Sequence, residues 1–166
     1  MALNNFDYQV SWSDFVQVPA KPPGVLEDAE IVLQFPQSYD YANGRNGIIV
    51  TNLKVDIGMA SPECWVLSSQ INNTDLLKHE QGHYDITALG AREFYNGLSG
   101  LSGATEDKLA IKIRTWRSSI QQKIDKANSN YDTQTNHSLN TGVQQTWDTK
   151  IDGAKKNPKG TVTDLP

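Results

Sequence analysis

At 166 residues the chain has room for one domain with a core of ordinary size, and its single cysteine, Cys64, excludes an intrachain disulfide. A formal net charge of −4, with only Lys155, Lys156 and Lys159 as a weak basic patch, argues against nucleic acid as a partner. No run approaches the roughly 18 apolar residues that a helical membrane span requires.

In chain order, the opening residues Met1–Asp7 have neither the basic nor the apolar region of a secretory signal. Phe6–Trp12 alternates as a half-buried strand does, and Pro19–Gly24 reads as a loop. Ala29–Phe35 predicts a second strand. The turn Asn43–Gly47 leads into Ile48–Thr51 and Leu53–Met59, which read as one long strand, and Cys64–Ser68 makes a short final one. Residues 53–59 or 64–68 are candidates for an edge that binds an extended peptide by strand addition.

A long helix is predicted over residues 74–98, with Asn73 or Thr74 as cap, Asp75 in the first turn and Asn96-Gly97 as the stop. Apolar residues recur on two of its faces, so it should be buried on both. Gly82 costs about 1 kcal/mol of helix propensity relative to Ala, which points to a close approach at that position. Thr105 can cap a second helix whose stripe is Leu109, Ile113, Trp116, Ile120 and Ile124. Tyr131–Ser138 reads as a polar loop. It is followed by a short amphipathic helix with Leu139, Val143, Trp147 and Ile151 on one face, then a flexible tail over 154–166.

The chemistry lies in His79-Glu80-Gln81-Gly82-His83. Four residues is about one helical turn, so the two imidazoles stack on one face and can bind one metal ion. Glu80 lies about 100° round the helix, able to reach a metal-activated water without competing for the metal. This is the HExxH pattern of zinc peptidases. A catalytic zinc takes a third protein ligand and keeps a position for water. The remaining histidine, His137, ranks first for that role, Asp132 second, and Glu93 or Glu106 third. Ile86 and Leu89 occupy the positions where the metzincin string requires Gly and His, which excludes that class. Tyr131 is the candidate second donor to a tetrahedral oxyanion, unless it simply packs on the helices. Asp132 or Asp85 is a candidate for orienting a ligand imidazole.

The string LLKHEQGHYDI with Ala91-Arg92, and later YDTQTNHSLNTGVQQTWDTKI, resembles a bacterial family described as predicted secreted zinc-dependent proteases, otherwise of unknown function. Its members pair a HEQGHFDI-like helix with a Tyr-Asp-x-x-Thr-x-His segment and a terminal Trp-Asp helix; here Tyr84 stands where Phe is common. The resemblance runs from about Trp12 to Ile151. It implies His79, His83 and His137 as ligands of Zn²⁺, Glu80 as catalytic base, and a secreted or periplasmic location.

The expectation is an α+β, zincin-like domain over residues 1–153, with an N-terminal, mostly antiparallel sheet followed by a helical half. It should hydrolyse peptide bonds in a peptide or protein substrate. The alternatives are a metal-bearing binding module of the same fold that does not cut, and a zinc amidase acting on cell-wall peptide.

Overall fold

Three helices and a set of short strands make an α+β fold in the computed structural model, which describes residues 2–166. The main sheet grows from one hairpin, β5 (Gln37–Gly44) and β6 (Gly47–Asp56), joined through Arg45-Asn46. β1 (Ala2–Asn4) lies parallel to β6 on its other side. Gly47 takes φ +117 at the turn, and a Cβ there would come within 2.4 Å of the Gly103 carbonyl oxygen. The turn therefore admits the closing strand β9 (Ser102–Gly103) only because residue 47 has no side chain.

The hairpin carries a bulge. Ser38 pairs with Lys54 but Asp40 with Thr51, so β6 holds one residue more than β5 over this stretch. Asn52 absorbs it at φ 49 and donates its amide to the Asp40 carboxylate at 2.7 Å. The bulge switches which alternate residues face inward: Val50 is buried before it, and Leu53, Val55 and Ile57 after it.

Two small sheets flank this one. β8 (Trp65–Leu67) lies between β2 (Val16–Val18) and β3 (Ala29–Glu30), and β4 (Leu33–Gln34) pairs with β7 (Gly58–Met59). The predicted strand 29–35 is thus two pieces. They part at Val32, whose N–H goes to the Cys64 sulfur at 3.3 Å and whose carbonyl accepts from Ala60. The predicted strand 48–59 likewise divides at Ile57. Most of the edge foreseen for substrate is taken, since β6 is paired by β1 and β5, and β8 by β2 and β3; β7 is paired by β4 alone. Phe6–Trp12 is no strand. Gln81 holds it instead, accepting from the Val10 N–H at 2.7 Å and donating to the Tyr8 carbonyl at 3.1 Å.

The helices are α1 (Thr74–Leu98), α2 (Glu106–Thr135) and α3 (Thr141–Lys156). Asn73 caps α1 by accepting from Leu76 N–H at 3.0 Å, and Thr105 caps α2 through Lys108 N–H. α1 is the central element, enclosed from Tyr84 to Arg92 without an exposed residue. Its close contact with α2 runs along three glycines. A Cβ at Gly82 would fall 2.1 Å from the Tyr131 hydroxyl, at Gly90 2.4 Å from Ile124, and at Gly97 2.5 Å from Trp116. Small residues of one helix thus receive large ones of the other in antiparallel order, which accounts for Gly82 inside a helix.

α2 continues through the segment read as a polar loop. Asn, Ser and Thr are poor helix formers, but Tyr131 and Thr135 are fully buried, and packing of Tyr131 against Trp147 outweighs propensity. The helix stops at Asn136, in the left-handed region with His137 and Ser138 after it, at φ 49, 50 and 75. α3 buries Gln144, Trp147, Ile151 and Ala154, whereas Leu139 is 77% exposed, so the predicted stripe begins later than expected.

Residues 154–166 are docked, contrary to the flexible tail predicted for them. Arg92 donates to the carbonyls of Ala154, Lys155 and Gly160, Val162 is buried, and Thr163 meets Glu93. A buried guanidinium that gathers several carbonyls ties the chain end to α1 as an apolar contact alone would not.

Candidate metal centre

One turn of α1 and the last turn of α2 face each other at the centre. His79 and His83 project from α1 as the four-residue spacing requires, and Asp132 comes from α2. The two Nε2 atoms are 3.2 Å apart, and Asp132 Oδ1 lies 3.1 Å from His79 Nε2 and 2.9 Å from His83 Nε2. Three electron-pair donors thus form a triangle. Ligands about 2.0–2.1 Å from a tetrahedral ion stand roughly 3.3 Å from one another, so the triangle is close to one face of such a tetrahedron.

The other ring nitrogens are occupied. His79 Nδ1 is 3.1 Å from Gln144 Oε1, and His83 Nδ1 is 2.9 Å from Asn128 Oδ1. Each amide oxygen accepts the Nδ1 proton, so that in the neutral imidazole the Nε2 lone pair is the one directed at the common point. Gln144 is held in turn, its amide donating to the Tyr131 hydroxyl and to Asp148 at 2.9 Å. Fixed tautomers and a convergent carboxylate are the donor set that a divalent cation of intermediate softness selects, and the residues present fit one.

The electrostatics agree. Burial pushes the Asp132 carboxyl up, but hydrogen bonds from both imidazoles outweigh it and hold the group well below the usual carboxylate range. Burial pulls His83 down, yet the bond to Asp132 and the charge of Glu80 prevail and raise it to about 8. Glu80 is shifted upward, chiefly by burial, with the two imidazoles opposing. Its side chain is 3% exposed, borders the cleft and has no hydrogen-bond partner among the described residues.

The cleft has a volume of 440 Å³ and opens onto the triangle. α2 forms one wall, residues 25–35 the other, and α1 the floor. His137 borders it too, its Nδ1 3.8 Å from Asp132 Oδ1 and 3.8 Å from Glu27 on the opposite wall. A looser group, His79, Asp132 and His137, has its donor atoms within 4.8 Å of one another. The residue ranked second for the third ligand, Asp132, therefore sits in the tight triangle, and His137 occupies an outer position on the left-handed turn.

The remaining candidates lie elsewhere. Glu93 pairs with Lys123 and Thr163, and Glu106 opens α2 at the end opposite Asp132. Asp85 faces away from the cleft and binds Lys155 at 2.7 Å. Tyr131 does not offer its hydroxyl to the cleft as foreseen. It is fully buried and stacks on His79 at 4.6 Å between ring centroids, and its hydroxyl donates to the His79 carbonyl at 3.3 Å. Close packing under Gly82 turns it into a support for the imidazoles. Sequence reasoning missed Gln144 and Asn128. The available signals were a glutamine interrupting the apolar face of α3 and an asparagine one turn before Asp132.

No curated protein and no solved structure matches the chain. Residues 27–138 match the family described as "Bacterial protein of unknown function (DUF922)", a span that takes in the motif helix, Asp132 and His137. Covering well over half of the sequence, this match makes the chain a member of that bacterial family.

Proposed function

We propose that the chain is a zinc-dependent peptidase of zincin-like design, with His79, His83 and Asp132 holding the ion and Glu80 as base. The observation that carries this reading is the pairing of the donor triangle, its Nδ1 protons already committed to Gln144 and Asn128, with an unpartnered carboxylate one residue from His79. Zinc bound there supplies Lewis-acid polarisation and lowers the pKa of a water towards about 7.

The chain's own residues do the rest. Glu80 takes a proton from the water and hands it to the leaving amine, a shuttle favoured by a carboxyl raised above its ordinary range. Asp132 stays ionised and offsets one of the two positive charges, and α1 closes the floor of the cleft against water. His137, at the outer position, is suited to donate to the developing oxyanion or to steady the substrate carbonyl.

The test is metal analysis of protein purified without added zinc, together with a chelator-sensitive peptide cleavage assay. Glu80→Gln is expected to lower turnover by about 10²–10⁴-fold while zinc stays near one per chain. A fully active Glu80→Gln protein would remove the base assignment. A zinc-loaded protein that cuts no peptide would leave a metal-bearing binding module.

A further inference from the structure

The cleft carries more negative charge than a metal centre uses. Besides Glu80 and Asp132 its lining includes Glu27 and Glu30 on one wall and Asp125 on the other, and it contains no Lys or Arg. These three acids find no cationic Lys or Arg partner among the described residues. Glu27 accepts from the Leu26 N–H and lies 3.8 Å from His137, Glu30 accepts from the Trp65 indole at 2.8 Å, and Asp125 accepts from Gln121 at 2.8 Å. Glu80 is a separate indication, because a side chain 3% exposed and without a hydrogen-bond partner among the described residues is aimed into the same space. A dication at the triangle would be balanced by Asp132 and Glu80 alone. Glu27, Glu30 and Asp125, half-buried or exposed along the two walls, then give the cleft a negative field that favours a cationic ligand.

We infer that the cleft takes a basic peptide, with a Lys or Arg side chain beside the reacting carbonyl laid along α2 so that its cationic head meets Asp125. The inference rests on the reading of this cleft as the peptide site. Asp125, Asn128 and Asp132 share one face of α2, and seven residues at about 1.5 Å each put Asp125 roughly 10 Å along the helix from the metal ligand. An extended Lys or Arg side chain carries its cationic head roughly 7–9 Å from its own carbonyl carbon, and a hydrogen bond of about 2.8 Å to Asp125 covers the rest. The cleft lining also includes Ile31, Leu33 and Ile124, apolar surface for a methylene stem. An acidic side chain in the same place would meet the like charges of Asp125 and Glu30, and a neutral one would gain nothing from them.

The experiment uses fluorescent peptides that differ at one position, Lys, Arg, Met or Glu. Their binding to full-length Glu80→Gln protein is measured with zinc and in metal-free buffer, and their cleavage by the unaltered protein is followed in parallel. The Lys and Arg peptides should bind about tenfold tighter than the Met peptide, and the Glu peptide weakest. Asp125→Asn should remove most of that gap, and Asp125→Lys should invert it. Equal affinities, or a gap that survives both substitutions, overturn the inference. If the basic peptides bind preferentially but are not cut, the peptidase reading fails and the charge reading stands. If peptides are cut without regard to charge, the reverse holds.

Discussion

The two sides of α1 both carry buried polar side chains, and they teach opposite lessons. On the side away from the cleft, Asp85 accepts from Lys155 and Gln81, while Gln81 also holds Val10 and Tyr8; donors and acceptors match, and nothing from outside is needed. On the cleft side the donors are spent on the Nδ1 contacts, and two Nε2 atoms and Asp132 Oδ1 are left facing one another. Acceptors that converge require a cation, whether a proton or a metal. A self-satisfied network builds a fold, and an unbalanced one invites a ligand.

The contrast breaks most readily at Asp132. Asp132→Ala should weaken zinc binding by about a hundredfold or more, and His137→Ala by clearly less, as competition with a chromophoric chelator would read. The reverse order would return His137 to the first position. On the other side, Asp85→Ala leaves Lys155 only the exposed Asp7 at 3.6 Å and should lower stability by about 1–3 kcal/mol in urea while zinc affinity stays the same.

Protons sharpen the comparison next. His83 of the metal-free protein is raised to about 8 from 6.5, so its contribution is complete below pH 6.5 and disappears as pH rises through 8. Metal-free protein should thus lose up to about 2 kcal/mol over that window. Zinc binding at pH 7 should release about one proton, read from the buffer dependence of the binding heat, and affinity should fall as pH drops. Uptake without proton release would contradict the His83–Asp132 pairing. The smallest effect belongs to Tyr131→Phe, which should change turnover by less than about threefold, whereas loss of a true oxyanion donor costs about a hundredfold or more.

Much of this centre was legible because its strongest signal is periodic. Two histidines one turn apart with a glutamate between them fix an imidazole pair and a carboxylate whatever the rest of the fold does, and the helix 74–98 formed between its predicted limits. The third donor was harder. Asp132 ranked below His137 because residues 131–138 have the composition of a loop, and only the burial of Tyr131 and Thr135 against other helices extends α2 through them. Gln144 and Asn128 follow no spacing rule, since an amide that fixes a tautomer can come from any element within reach. The docked end was hidden for a similar reason: its anchor is Arg92, on another helix, clasping carbonyls rather than side chains. The one-residue bulge at Asn52 likewise leaves the hairpin's apolar pattern readable but moves its phase.

Gly82 sits between the two histidines with the Tyr131 hydroxyl where its first side-chain carbon would be. The gap between α1 and α2 is therefore gauged at the spot where their donors meet, and Asp132 is the immediate neighbour of the residue that would be displaced. A lone methyl at position 82 would collide with the Tyr131 ring and press on the turn that carries the carboxylate, although it touches no ligand. The calibration of this centre is written in a missing side chain.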